Sequence, residues 1–520
     1  MAEKGVALRS SVSCLATLAL VWAAPAEASW SVAQSKHFIV YANENPKALT
    51  DFSAKLERFD QAVRFVRGMD DPPVGDGNRL TVFVMPNIGA VQKLAGDKSG
   101  FIAGFYEGRA SGSVAFVPRR AGEDNPFDLN ADTIFFHEYS HHLMFQSIDR
   151  PLPEWVVEGF AEFMSTVKFE KNGDIGIGTP AYHRAYGLME GQSLSLEQLL
   201  SNNYSKINQE QRESIYGRGW LLIHYLTFEK AREGQLDRYV DQLSKGVPPL
   251  DSAKAAFGDL HQLDRDLSAY LNRSRMSYLK LSGNQFKAGN ITVQPLSEGA
   301  AKVIPLRIQS KHGVDQKTAE PLAAQIRAVE VSYPGDELVE LTLAEAELDS
   351  NHADAAEAAA DRAIKANSRN TEAMVFKGRA IAERAEKLEG PARHAGFDTA
   401  RQIFISANKL DTEDPEPLME FYKAFAAEGI RPTANAIAAL HYASDLAPQD
   451  EGLRMNSAVQ YLADGKAAEA KRALTLIAYD PHGNELAQSA RAIIAKIDSG
   501  NAKEALALAH SDSGKSSNPR

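Results

Sequence analysis

His137-Glu138-Tyr139-Ser140-His141 sets two imidazoles four positions apart, with a carboxylate directly after the first. In a helix, positions i and i+4 lie one turn apart on one face, so both rings can ligate a single metal ion. Glu138, beside the first ring, can then reach a water at that ion and act as a base. The surrounding DTIFFHEYSHHLMFQ contains neither Gly nor Pro and has helical apolar spacing, which predicts a helix over 132–146. His142 points about 100° away from His141 on such a helix and is not expected to be a ligand. The single cysteine, Cys14, leaves no thiolate site to build, so any metal falls to His, Asp and Glu.

A third ligand has to come from farther along the chain. Pro153-Glu154-Trp155-Val156-Val157-Glu158-Gly159-Phe160-Ala161-Glu162-Phe163 places Glu154, Glu158 and Glu162 at i, i+4 and i+8, on one helical face. Spacing alone does not choose among the three. A metzincin would need Gly at 144 and His at 147; Met144 and Ser147 exclude that class.

H-E-x-x-H followed by W-x-x-E-G-x-A-E-F resembles the gluzincins, zinc metallopeptidases that include thermolysin and the aminopeptidase N family. Among these, the peptidase MA-like proteins that join such a domain to helical repeats are the nearest likeness. The resemblance implies a Zn2+ ion held by His137, His141 and Glu158, with Glu138 as general base. It implies that Glu162 supports a ligand imidazole from behind, and that a tyrosine donates to the developing oxyanion. Tyr216, in Glu213-Ser-Ile-Tyr216-Gly-Arg-Gly-Trp220, is the candidate, with His224 and Tyr225 as runners-up on the same helix. The Gly-Ala-Met-Glu-Asn segment that anchors a free amino terminus in aminopeptidases has no counterpart here. An endopeptidase is therefore the expectation. Residues 103–106 or 113–117 could supply a strand for substrate, and Trp155 should pack the two motif helices together.

The positioning elements are legible in outline. Residues 37–42 and 80–85 read as strands, the second an apolar run suited to a buried position. Residues 46–66 have helical spacing, with Pro46 suited to a first turn. A Gly-rich stretch, 100–112, leads into a strand at 113–117. Helices are expected at 132–146, 153–168, 194–200, 212–229, 236–243 and 260–281, with a turn at 151–153 and a break at 173–178. Residues 291–294 and 302–309 resemble a hairpin, a spacer between domains. From about 318 the chain is Ala-rich helix. Pairs of small residues recur seven apart at Ala356/Ala363, Ala400/Ala407 and Ala436/Ala443, with a related site at Ala470 and DP or AP turns between helices. These resemble tetratricopeptide (TPR) repeats. The expected fold class is thus an α+β zincin-like catalytic domain over 29–280, a linker or hairpin over 281–316, and an all-α TPR-like domain over 317–507. A disordered polar tail is expected over 508–520.

Lys4 and Arg9, the apolar stretch 12–24 and Ala26-Glu27-Ala28 form the layout of a secretory signal peptide over 1–28. Its apolar run is too short for the ~20 residues needed to cross a bilayer. The expectation is an exported protein, periplasmic or secreted, whose mature chain lacks cysteine, as suits an oxidising compartment. The 520 residues carry a net charge of -11 without clustered Lys or Arg, which argues against nucleic acid. At 44% hydrophobic and 24% charged, the chain is not broadly disordered. No later segment is apolar enough to span a membrane. Two functional readings remain. One is a zinc peptidase whose repeats bind protein or peptide; the alternative is a non-enzymatic repeat scaffold with a vestigial zinc site. A weaker third is a zinc hydrolase of a non-peptide substrate. Glu138 favours the first, since a purely structural site has no use for it.

Overall fold

The computed structural model describes residues 30–97, 102–119, 129–147, 152–204, 206–478 and 485–516. The expected signal peptide lies outside them, as do Pro151 of the expected turn and the Asp480-Pro481 turn.

The N-terminal part is built around a mixed sheet. Its strands are β1 (Ser31–Gln34), β2 (Phe38–Ala42), β3 (Leu80–Met85), β4 (Phe105–Glu107), β5 (Val114–Pro118) and a late strand described below. Helix α1 (Pro46–Arg67) follows β2, and a short α2 (Ile88–Leu94) follows β3. β2, β3 and β5 run parallel, while β4 pairs antiparallel with β5 at one edge. Asn45 caps α1 by accepting from the Ala48 N–H at 2.8 Å, and Pro46 starts the helix as expected.

After β5 come α3 (Ala131–Ser147), α4 (Glu154–Ser165), and a hairpin of β6 (Lys168–Phe169) and β7 (Ile175–Ile177). Helices α5 (Ala185–Met189), α6 (Leu196–Ser201), α7 (Gln209–Phe228), α8 (Gln235–Ser244), α9 (Pro249–Phe257) and α10 (Leu260–Leu271) complete this part. The break expected at 173–178 is therefore the β6–β7 turn and strand. The helix expected over 260–281 ends at Leu271, and β8 (Leu279–Leu281) pairs with β7.

The hairpin expected from 291–294 and 302–309 does not form. β9 (Thr292–Pro295) joins the main sheet beside β1, giving the order β4-β5-β3-β2-β1-β9, and 302–309 lies inside helix α11 (Glu298–His312). Its β-branched run suggested a strand, but the buried positions are Gly299, Ala300, Val303, Ile304, Arg307, Ile308, Ser310 and Lys311. That is helical spacing, and it wins because a second apolar surface waits for it. Alternate side chains of the central strands enter two cores. Leu80, Val82, Ala115 and Val117 pack with α1 and α3, whereas Phe83, Met85, Val114 and Phe116 pack with Ile304 and Ile308 of α11. Burial on both faces explains why these strands read as unbroken apolar runs.

From α11 the chain continues as helices: α12 (Ala319–Ser332), α13 (Glu337–Asp349), α14 (Ala353–Ala366), α15 (Thr371–Glu386), α16 (Gly390–Leu410), α17 (Pro415–Glu428), α18 (Ala434–Leu446), α19 (Glu451–Ala463), α20 (Ala467–Ala478), α21 (Glu485–Asp498) and α22 (Ala502–Ser516). From α12 on, each packs on the next in order. Every small residue of the seven-spaced pairs, and Ala470, is fully buried. The tail expected to be disordered from 508 is helical to Ser516, because Ala505 and Ala509 dock into the terminal core. The array also closes back on the sheet. Ala110, in the β4–β5 loop, packs among Met419, Leu440, Ala443 and Leu453, and its N–H donates to Asp450 at 2.8 Å.

Candidate metal centre

Aromatic packing fixes α3. Phe136 stacks on Phe59 of α1 with ring centroids 4.1 Å apart, and Tyr139 packs 4.8 Å from Phe38 of β2. The Tyr139 hydroxyl donates to Asp60 of α1 at 2.7 Å. His142 faces away from His137 and His141, as its helical phase required. Its Nδ1 is hydrogen-bonded to the Tyr106 hydroxyl at 2.7 Å and its Nε2 to the Gln146 amide at 3.0 Å. Burial, then the charges of Arg64 and His37, lower His142 to about 3, so it stays neutral.

Helix α4 is positioned by its other side. Gly159 meets Gly219 of α7 backbone to backbone; a Cβ on Gly159 would lie 2.5 Å from the Gly219 carbonyl carbon. Trp155 donates its indole N–H to the Tyr239 hydroxyl at 3.3 Å, on α8 rather than on α3. These contacts turn the acidic face of α4 towards the motif helix. His137 Nε2 and His141 Nε2 lie 3.2 Å apart, and Glu158 Oε2 lies 3.3 Å from the first and 3.5 Å from the second. Tetrahedral ligation at about 2.0–2.1 Å separates ligand atoms by about 3.3 Å, so the three donors fit zinc. Glu154, on the same helical face, instead pairs with Arg212 at 3.0 Å. The geometry thus brings Glu158, and not Glu154, to the two imidazoles, where spacing left the three carboxylates equal.

The electrostatics agree with this fit. Burial alone would raise the Glu158 carboxyl, but the neighbouring His141 and His137 outweigh it and hold it well below the ordinary range. Burial would lower His137, yet Glu158 and Glu162 push it up to about 10. A second grouping, His37, Asp60 and Asp71, also brings ligand atoms together. There the chain's own cations are already in place: Arg64 Nε lies 2.9 Å from Asp60 and Lys36 Nζ 2.5 Å from Asp71.

Glu162 is fully enclosed behind His137. Its carboxylate lies 3.2 Å from His137 Nδ1, 2.9 Å from His183 Nε2 and 2.5 Å from the Arg184 guanidinium. Arg184 also donates to Glu213 at 3.0 Å and lies over the Tyr216 ring at 4.9 Å. Tyr216 sits with its ring 5.9 Å from that of His137, and burial, then the Glu158 charge, raises its hydroxyl far above the ordinary value. His224 and Tyr225 are elsewhere. His224 is hydrogen-bonded to the Tyr270 hydroxyl and to the Gly178 and Ser277 carbonyls, and Tyr225 packs on Tyr270. Glu138 is half-buried and makes no hydrogen bond or ion pair among the described residues.

His183 and Arg184 were not anticipated. They lie on a single 3-10 turn, Tyr182–Arg184, where no helical or strand period marks them. Of the two stretches considered for substrate, 113–117 is β5, paired on both sides, whereas 103–106 leads into the edge strand β4. Gly104, preceding β4, abuts the Ile134 side chain of α3.

No protein-family model matches the chain, and no curated protein matches it in sequence.

Proposed function

We propose that the protein is an exported zinc-dependent peptidase of gluzincin type, an endopeptidase whose TPR-like helical array binds protein or peptide. The observation that carries the reading is the convergence of His137, His141 and Glu158 at zinc-ligand separations, with Glu138, unpartnered among the described residues, next to His137 on the same helix. Bound there, the ion supplies Lewis acidity that acidifies water and polarises a scissile carbonyl.

The chain's residues divide the remaining tasks. Glu138 takes a proton from the attacking water and returns it to the leaving amine. Tyr216 keeps its proton throughout the neutral range and donates to the carbonyl oxygen as charge builds there. The Glu162 carboxylate, facing Nδ1 of His137 at 3.2 Å, favours the tautomer whose Nε2 presents its lone pair to the centre. Arg184 holds both Glu162 and the Tyr216 ring. The open edge of β4 offers backbone groups to which an extended peptide can add as a further strand. The apolar N-terminal leader supports export.

The test is hydrolysis of a mixed peptide library by zinc-loaded protein, with chelator and Glu138→Gln as controls. The reading expects cleavage that chelation abolishes and that Glu138→Gln lowers by about 10²–10⁴-fold with zinc still bound. Binding of peptides without any cleavage would support the scaffold instead.

A further inference from the structure

A half-open cavity of about 550 Å3 lies on the sheet face opposite α1 and α3, bordered by α11, α13, α15 and α17. Tyr41 and Thr81 line it from the sheet, Arg307 and Lys311 from α11, and Glu372 from α15. Asp414, the N-cap of α17, and Glu416 line its far side. Its size is within the ~300–1,000 Å3 typical of small-molecule sites.

The lining holds charged groups of both signs that are incompletely paired among the described residues. Arg307 is 6% exposed, and its Nη2 donates to Glu372 at 3.0 Å, but Nε and Nη1 make no hydrogen bond. The nearest carboxylate to Nη1, that of Glu345, is 4.0 Å away. Lys311 donates to Glu345 at 3.0 Å and to Glu372 at 2.7 Å. Of the other charged lining residues, Asp76 pairs with Arg79, Asp336 accepts from Ser297 and Glu337 from Asn367 and Asn370, which leaves Asp414 and Glu416. Both are buried. Asp414 accepts from the Glu416 N–H and the Thr371 hydroxyl, while the Glu416 carboxyl makes no hydrogen bond among the described residues. Burial foremost raises Asp414 to about 7 and Glu416 to about 8. Burial and the neighbouring carboxyl outweigh the more distant charges of Arg379 and Lys311 at Glu416, and neither acid makes an ion pair among the described residues.

Buried donors without partners, such as Arg307 Nε and Nη1, are costly and call for an explanation, and so do two buried acids with no ion pair among the described residues. An anion would satisfy Arg307 alone, and an amine only the acids. A molecule with both ends satisfies both. We propose that this cavity binds a short peptide with free ends, its carboxylate on Arg307 and its ammonium on Asp414 and Glu416. The site is separate from the metal centre and stands whether or not that centre is catalytic.

Calorimetry on the full chain in EDTA, which silences the metal centre, tests this with trialanine as probe. N-acetyl-trialanine, trialanine amide, putrescine and acetate serve as single-ended controls. Saturable binding of trialanine is expected, weakened at least about tenfold by either cap, since about 1.4 kcal/mol is tenfold. Glu416→Gln and Arg307→Lys, each checked for an unchanged melting temperature, should weaken trialanine about tenfold. Glu416→Gln should leave N-acetyl-trialanine unaffected. The proposal is overturned if trialanine gives no saturable heat, or if capped peptides or putrescine bind as tightly. Unaltered trialanine affinity in both folded variants would overturn it equally.

Discussion

His137 joins the two carboxylates of α4, with Nε2 facing Glu158 at 3.3 Å and Nδ1 facing Glu162 at 3.2 Å. A ligand imidazole anchored in this way loses little entropy on binding metal and is fixed in the right tautomer. Glu162→Ala should therefore weaken zinc about 10–100-fold in a chelator competition, and Arg184→Met should do so to a lesser degree. Unchanged zinc affinity in both would remove them from the site. Tyr216→Phe should lower kcat by about 10²–10³-fold with KM little altered; a mild effect would make Tyr216 a packing residue. The legibility of these residues follows their geometry. His137, Glu138 and His141 are readable because one helix fixes their spacing. Glu158 is not separable from Glu154 and Glu162 by spacing, since all three share a face, and the neighbours that distinguish them come from other helices. His183 and Arg184 leave no trace in the sequence, because only tertiary packing brings their turn to Glu162.

At the scale of elements, α1 is clamped to the sheet through His37. His37 Nδ1 lies 2.8 Å from Glu57, and its Nε2 lies 2.9 Å from Asp71. Burial would lower His37, but Glu57 and Asp60 raise it above its ordinary 6.5. Burial would raise Glu57, but His37 lowers it below its ordinary 4.5. The histidine's contribution is full below 6.5 and fades as pH rises through its raised pKa. The glutamate's is full above 4.5 and fades as pH falls through its lowered one. The clamp is thus strongest between these values. In urea unfolding, His37→Gln should lose about 1–3 kcal/mol near pH ~5.5 and clearly less near pH ~9. An equal loss at both would show that the pair is held by shape and not by charge. The same scale shows where reading fails. Residues 302–309 carry strand-like composition, yet α11 is helical because its buried face has an apolar sheet to cover. Periodicity was present there, but the surface that gives it meaning was not visible along the chain.

For the whole molecule, α11 makes the sheet and the helical array share a core. Ile304 and Ile308 cover Phe83, Val114 and Phe116, and the β4–β5 loop inserts between α17 and α19. A chain cut after residue 297 would expose that apolar sheet face to water. It should fail to give a cooperative thermal transition by circular dichroism, whereas the full chain gives one. A truncated form that melts cooperatively at the full-length temperature would contradict the shared core. The sheet-then-helices order was legible from composition, but the continuity through α11 was not. That continuity supports the candidate metal centre, since α3 packs on a sheet buried from both sides and α4 packs on α3. The central claim is that His137, His141 and Glu158 hold one zinc ion, and a zinc-edge anomalous map of zinc-reconstituted crystals tests it most directly. The account predicts one peak per chain, bonded to those three residues at about 2.0–2.1 Å, with Glu138 beside the open position. No peak there, or a peak at His37, Asp60 and Asp71 instead, would contradict it.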